Sequence, residues 1–324
     1  MVLRSRIIGC GGYLPDRIMT NDELSGLVDT TDEWITGRSG IRQRHIAAEG
    51  ELTSDLAVNA AKAALKDAGI SVDDIDLIVL ATATPDETFP STATRVQAKL
   101  GMTRGAAFDV QAVCTGFIYA LTVADNFIRT GQAKTVLVIG AETFTRILDW
   151  KDRGTCVLFG DGAGAVILRA GEGEGSTADQ GILSTHIHSD GRDHDCLYVD
   201  GGPSSTGTSG HVRMQGQEIF KKAVLRLAEV AKEALDHNGL TGADLDWLVP
   251  HQANLRIMRG TTKKLGVAED KLIVTIDRHA NTSAASIPLA IADAHGAGKF
   301  SSGDLILLEG IGGGLTWGAC LLRW

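Results

Sequence analysis

The sequence predicts an α/β fold built from two similar halves, and three observations carry that prediction. Residues 57–81, AVNAAKAALKDAGISVDDIDLIVLA, return in altered form at 228–251 as AEVAKEALDHNGLTGADLDWLVPH. Apolar strand-like runs alternate with helix-period runs along the chain, the pattern of sheets covered by helices. The chain has 324 residues, 44% hydrophobic and 22% charged, enough for a large core and about two domains of ordinary size.

Each copy of the repeat reads as an alanine-rich amphipathic helix, a glycine stop, an acidic turn and an apolar strand. Asp76 in IDLIVLA aligns with Asp246 in LDWLVPH, and both copies run on to a Lys-Leu-Gly ending, at 99–101 and 264–266. In the first half AFDVQAVCTGFIYAL then gives a strand, a turn and a helix from Phe117 to Ile128, apolar on nearly every face and stopped by Gly131. The break RTGQAK and the strand TVLVIGAE follow. In the second half VTIDRHANTSAASIPLAIADA, GAGKFSSG and DLILLEGIG take the same places. Each half closes on a glycine turn and a strand, GDGAGAVIL at 160–168 and GGGLTWGACLLRW at 312–324. The expected sheets are mostly parallel. The polar, glycine-rich stretch GEGEGSTADQG divides the chain into halves 1–174 and 175–324.

Three reactive residues fall at related points of this plan. Cys114 stands where a strand turns into a helix, where free N–H groups and the helix dipole favour the thiolate. Asn281 occupies nearly the same point of the second copy. His251 ends the strand LDWLVP, and C-terminal strand ends are where open α/β sheets bind ligands. Pairing of the halves about a pseudo-twofold axis would bring the three together. Taken singly, each has a plainer reading: a buried hydrophobe for the cysteine, a satisfied core residue for the histidine, a helix N-cap for the asparagine.

The formal charge of −9 argues against a generic nucleic-acid binder. The five cysteines, Cys10, Cys114, Cys156, Cys196 and Cys320, are odd in number and form no CxxC pair, which argues against a disulfide framework or a cysteine-held zinc. No metal-ligand spacing is visible. GDGAGAVIL lacks the GK[ST] ending of a phosphate loop, and no helix of the right spacing follows GCGGYLP to make a dinucleotide site. No signal peptide or membrane-length apolar run is visible, so a reduced cytoplasm is expected.

Cys114 in QAVCTGF, His251 in VPHQANLR and Asn281 in RHANTSAAS, together with TTDEWITGRSGIRQRHIA, FGDGAGAVIL and GGGLTWGA, resemble the β-ketoacyl-acyl-carrier-protein synthase III family from end to end. The resemblance implies a thiolase-like fold, two duplicated α/β halves packed as five layers (αβαβα). It implies an acyltransferase that starts type II fatty acid synthesis, with acyl-CoA, most simply acetyl-CoA, as substrate and no cofactor. Cys114 would be acylated; its N–H and that of Gly313 would bind the oxyanion. His251 and Asn281 would stabilise the enolate formed when malonyl-acyl-carrier protein loses CO₂. Trp34 and Arg153 are implied as the pair that sandwiches the adenine, with Thr30, Arg38, Gly216, Phe220 and Asn254 as further CoA contacts. Arg256 and Lys263, with Lys264 and Lys221, would dock the carrier protein. From spacing alone, Arg256, Arg259 and Lys263 share one helix face opposite Met258 and Leu265, which is also how a solvated face looks. Phe89 would cross a homodimer interface into the partner's acyl pocket, and Phe159 is assigned to the same pocket. Two positions depart from the family pattern: Ala280 stands where glycine is expected, and Leu315 where phenylalanine is.

Other classes compete with this reading. A cysteine-dependent hydrolase or acyltransferase also uses Cys-His-Asn, but the duplicated layout and the GGG loop speak against proteolysis. A non-enzymatic partner subunit would not need all three reactive residues. A condensing enzyme that takes another acyl starter for a secondary metabolite shares every motif.

Overall fold

A computed structural model describes all residues from Met1 to Trp324. Nine strands form two sheets: β1 (Val2–Tyr13), β2 (Leu77–Ala81), β3 (Ala106–Val110), β4 (Thr135–Glu142), β5 (Gly162–Gly173), β6 (Gly181–Ser189), β7 (Trp247–Pro250), β8 (Leu305–Gly312) and β9 (Thr316–Arg323). Seven helices matter for the site: α1 (Asp32–Ser39), α2 (Thr53–Ala68), α3 (Thr92–Leu100), α4 (Gly116–Arg129), α5 (Gly216–His237), α6 (Leu255–Leu265) and α7 (Ser286–Gly296).

The sheets run β1-β5-β4-β2-β3 and β7-β8-β9-β6. Their central strands are buried on both faces, which is why they read as unbroken apolar runs. Alternation along each strand sorts side chains into three cores. In β2, Ile78 and Leu80 join Leu56, Ala60 and Ala64 of α2 and Val96 of α3 in one outer core. Leu77 and Val79 face the other way, onto Phe117 and Leu121 of α4 and Ile287 and Ile291 of α7. In β8, Ile306 and Leu308 close that middle core, while Leu305 and Leu307 meet Leu227 and Val230 of α5 and Ile257 of α6. The result is five layers, αβαβα. The first sheet takes strands only from before residue 174 and the second only from after residue 180, yet the middle layer holds one helix from each half.

The repeat recurs in detail. Asp76 accepts from the N–H groups of Lys134 and Thr135 at the start of β4 (2.8 and 3.0 Å), and Asp246 accepts from Leu305 N–H at the start of β8 (2.8 Å). Each carboxylate fixes the neighbouring parallel strand in register. The Lys-Leu-Gly endings close α3 and α6 on left-handed Gly101 and Gly266, the conformation glycine adopts without strain.

Two expectations are corrected. The sheets are mixed rather than mostly parallel: β1 with β5, β5 with β4, β8 with β9 and β9 with β6 are all antiparallel. In each half the last strand, β5 or β9, runs against the others and pairs antiparallel on both of its sides. The second-half counterpart of β3 is also nearly absent. It shrinks to a single bridge, Leu248 to Leu272, because the Gln252 side chain takes the N–H groups of Thr275 and Ile276 and turns the chain into a helical turn, Ile276–His279.

Candidate active site

Cys114 lies in a 3-10 turn, Val113–Thr115, ahead of α4. Its neighbours' N–H groups are already used, Thr115 on Ala112 O (3.1 Å) and Gly116 on Val113 O. The Cys114 N–H has no backbone acceptor and faces only its own thiol sulfur, and the Gly313 N–H has no backbone acceptor either. Gly312 brings the two segments together: a methyl group there would come within 2.7 Å of Cys114 N, so only glycine permits the approach. Two free donors therefore flank the thiol, the arrangement an oxyanion needs. The expectation that a helix terminus lowers the thiol's pKa is not met. Burial pushes Cys114 up to about 12 and the Glu142 charge adds to it, while the nearby Ser283 hydroxyl acts the other way. Burial thus favours the thiol over the thiolate at this position.

The turn bearing Cys114 packs on a second 3-10 turn, Ser283–Ala285, at the equivalent place before α7. Glu142 anchors this second turn by accepting from Ala284 N–H (3.4 Å) while holding Thr84 Oγ1 (2.6 Å) and Ala83 N–H. Asn281 precedes the turn. Its Oδ1 accepts from Ser283 N–H (2.9 Å), which fixes the amide so that Nδ2 is the free end. Its backbone is gripped on both sides, by Leu158 O and by Gly160 N–H, both at 3.0 Å. Ala280, where glycine was expected, sits at φ 57°, ψ −161°, a region that costs a side-chain-bearing residue about 1–3 kcal/mol.

His251 is tied to the same place. Its N–H donates to Glu309 O (2.7 Å), and its Nδ1 lies 2.6 Å from Ser286 Oγ, the first residue of α7. Ser286 Oγ also accepts from Gln252 N–H (3.3 Å). We assign the Ser286 hydroxyl as donor to Nδ1, an arrangement compatible with its accepting from Gln252 N–H, and this places the N–H of the neutral ring on Nε2. Burial lowers His251 to about 3, so the ring stays neutral. The three candidate residues therefore converge: Cys114 touches the turn that follows Asn281, and that turn runs into the serine that holds His251. Two neutral donors, Nε2 and Nδ2, are each locked by a bond at the other end of their own side chain.

The remaining candidates gather nearby. Trp34 in α1 is stacked by the guanidinium groups of Arg38 (4.7 Å to the ring centre) and Arg153 (4.9 Å), and Arg153 also donates to Asp29 O (2.7 Å). Asn254 caps α6 and donates to Arg38 O (2.9 Å). Arg256 lies over the Phe220 ring (5.5 Å), and Gly216 begins the helix that carries Phe220. The Thr30 hydroxyl is buried without a partner. On the exposed face of α6, Arg259 is neutralised by Glu269 (2.6 Å), whereas Arg256, Lys263 and Lys264 have no acidic partner; Lys221 pairs with Glu218 (3.0 Å). Phe89 is 83% exposed. Phe159 is buried, stacked on Phe144 (4.4 Å), and bridges the backbone of Asn281. Phe144, with Val113 and Gly313, lines a cavity of about 870 Å³ beside Cys114; Phe159 stands behind that wall.

Residues 108–191 match the family model for 3-oxoacyl-[acyl-carrier-protein] synthase III, and residues 235–324 match the model for its C-terminal part. The whole chain is 67% identical, over 324 residues and 100% of both chains, to a β-ketoacyl-[acyl-carrier-protein] synthase III of Rhodospirillum centenum. The chain belongs to the β-ketoacyl-acyl-carrier-protein synthase III family. It is an acyl-transferring condensing enzyme of fatty acid synthesis. A synthase III of Agrobacterium fabrum is 60% identical over 323 residues, 100% of both chains. The crystal structure of the Aquifex aeolicus 3-oxoacyl-[acyl-carrier-protein] synthase III superposes with a TM-score of 0.93 at 48% identity, covering 99% of this chain and 100% of that one. The priming β-ketosynthase of the R1128 polyketide pathway superposes at 0.92 with 34% identity, covering 98% and 96%.

Nothing in the sequence singles out Ser286, Gln252, Ser283 or Glu142, although Ser283 and Ser286 stand inside RHANTSAAS. Ser286→Ala is expected to free the His251 tautomer and slow condensation about tenfold, the worth of one hydrogen bond of about 1–2 kcal/mol. Acylation of Cys114 should keep its rate, and single-turnover measurement of the two half-reactions checks this.

A buried acid also lies outside the cluster. Glu309 is fully buried on β8 with neither oxygen bonded, and burial raises it to about 8. A raised carboxyl stabilises the fold fully below its unfolded pKa, near 4.5, and that contribution is lost as pH rises through 8. Glu142, raised to about 7, acts in the same direction. The melting temperature should therefore fall from about pH 5 to pH 8 and level off above it, and Glu309→Gln should flatten that fall in thermal scans.

Proposed function

We propose that this enzyme primes chain growth in two covalent steps. The Cys114 sulfur attacks the thioester carbonyl of an acyl-CoA, most simply acetyl-CoA; the thiol proton leaves and CoA departs as its thiol. The Cys114 and Gly313 N–H groups hold the oxyanion formed on the way. Malonyl-acyl-carrier protein then loses CO₂. The resulting enolate carbon attacks the acyl-cysteine, a C–C bond forms, the Cys114–acyl bond breaks, and 3-ketoacyl-carrier protein is released. His251 Nε2–H and Asn281 Nδ2–H donate to the enolate oxygen without adding charge. The observation that carries this reading is the pair of neutral donors, each locked from behind by Ser286 or by Ser283 N–H, beside a thiol with two free N–H groups.

Trp34 and Arg153 would receive the adenine between a ring and a guanidinium, with Arg153 swinging off Trp34 to admit it. Thr30, Arg38, Gly216, Phe220 and Asn254 would line the path to the thiol. The unpaired cations of α6 suit an acidic carrier protein. Arg256→Glu should lower kcat/KM for malonyl-carrier protein about tenfold at low salt, with the deficit shrinking as ionic strength rises. β3 is an open sheet edge, and the exposed Phe89 lies in the loop leading to α3, whose first N–H groups dock on Asp109 of β3 (2.7 Å). An open edge beside an exposed aromatic supports a homodimer built there. No helix is long and apolar enough to cross a membrane; the expected place of action is the cytoplasm.

The test is to load the protein from a panel of acyl-CoAs, weigh it, and add malonyl-carrier protein. A product two carbons longer than the starter, with CO₂ released, supports condensation. Release of the acyl group as free acid overturns it in favour of a hydrolase.

A further inference from the structure

The fold brings together three donors that lie 57 and 228 residues apart in the chain. Cys10 Sγ, an Asp67 carboxylate oxygen and a His295 ring nitrogen all lie within 4.8 Å of one another. We propose that Cys10, Asp67 and His295 form a binding site for a thiophilic divalent cation, Zn²⁺ being the natural occupant, at the β1 edge of the first sheet.

The donors come from three layers. Cys10 sits on the edge strand β1 with its side chain in the middle core. Asp67 is in the last turn of the outer helix α2, and His295 is in the last turn of the middle helix α7. β1 reaches α2 only because Gly9 and Gly11 flank the cysteine. A methyl on Gly9 would stand 2.6 Å from the backbone and side chain of Ala68, and one on Gly11 would strike the backbone of α2 at Ala64. The close approach lets Cys10 N–H donate to Asp67 Oδ2 (3.0 Å), which leaves Oδ1 facing His295 Nε2 at 3.4 Å. The imidazole is steadied by the Trp324 ring, 5.3 Å away.

Thiolate, imidazole and carboxylate together are a donor set that suits zinc. A tetrahedral zinc with bonds of about 2.0–2.3 Å spaces its donors roughly 3.3–3.8 Å apart, so the site has to contract by about 1 Å. The Asp67–His295 pair already has that spacing. Two helix C-termini, those of α2 and α7, point their partial negative charge at the same spot, which favours a cation. The cysteine is 5% exposed, but the His295 and Asp67 side chains are 37% and 36% exposed. The ion can enter from solvent and keep a water as fourth ligand. Binding replaces the S–H bond by an S–metal bond and releases one proton to solvent, with no change of oxidation state.

The experiment uses the full-length Cys114→Ala protein, so that the active-site thiol cannot bind metal. Cd²⁺ is titrated while thiolate-to-metal charge-transfer absorption is followed, and Zn²⁺ is titrated by calorimetry. One ion per chain, with the absorption band present, is expected. Adding Cys10→Ser should remove the band, His295→Ala should weaken binding at least tenfold, and Zn²⁺ should raise the melting temperature only where Cys10 is intact. Circular dichroism confirms that each variant folds, and His295→Ala, at a partly exposed position, serves if Cys10→Ser does not. Absence of the band, or binding unchanged in His295→Ala, overturns the proposal. Binding without the band that survives loss of Cys10 assigns the metal to surface imidazoles, such as His186 and His188 beside Glu233, and overturns it as well.

Discussion

Cys114→Ala should carry no acyl group after exposure to any acyl-CoA, and condensation from acyl-CoA should fall below detection. The variant keeps both free N–H groups and both locked donors, so it retains every means of stabilising charge and loses only the atom that forms the bond. Intact mass decides it: the parent gains one acyl group on the Cys114 peptide and the variant gains none. The pH dependence of the parent's acylation adds a second reading. Burial holds the thiol up at about 12, so the thiolate fraction grows with each unit of pH across the working range. Acylation should therefore keep accelerating above pH 8.5, where an ordinary cysteine levels off. A plateau near pH 7 would mean that bound acyl-CoA reorganises the site to lower the thiol.

How much of this could be read from the chain depends on distance along it. Asp76 and Asp246 announced the duplication because each recurs at the head of the same repeated strand, although the N–H groups they hold lie 58 and 59 residues further on. Cys114, His251 and Asn281 were legible because each ends a strand or opens a helix at a repeat-related point. Their partners were not. Ser286 is 35 residues from His251, and Glu142 is 142 residues from Ala284; no periodicity links them. The acidity of the thiol was misjudged for a related reason. A helix start is visible in sequence, but the burial that raises the thiol, and the use of the next two N–H groups inside the turn, belong to the folded state. The missing second-half strand shows the same limit, since a single side chain, Gln252, diverts the backbone that the repeat had marked as a strand. Cys10, Asp67 and His295 had no spacing to reveal them at all.

His251→Ala and Asn281→Ala should each leave Cys114 acylation near the parent rate and reduce condensation by about 10²–10³, the usual cost of losing one donor to a developing oxyanion. The reason lies in the sequence of charges. In the proposed mechanism the N–H groups of Cys114 and Gly313 would meet the acyl oxyanion, whereas the enolate would form only after decarboxylation, within reach of Nε2 and Nδ2. Because those two donors share one oxygen, the double variant should lose much less than the product of the single losses. Release of CO₂ from malonyl-carrier protein should fall in step with product, since both donors act before the C–C bond forms. The neutral state of His251 sharpens the test. Its pKa, lowered to about 3 by burial, keeps the ring uncharged through the whole working range. The condensation rate should show no inflection near 6.5, the ordinary imidazole value. An inflection there, absent in His251→Ala, would mean that a charged imidazolium takes part and that the locked neutral donor is the wrong picture of the site.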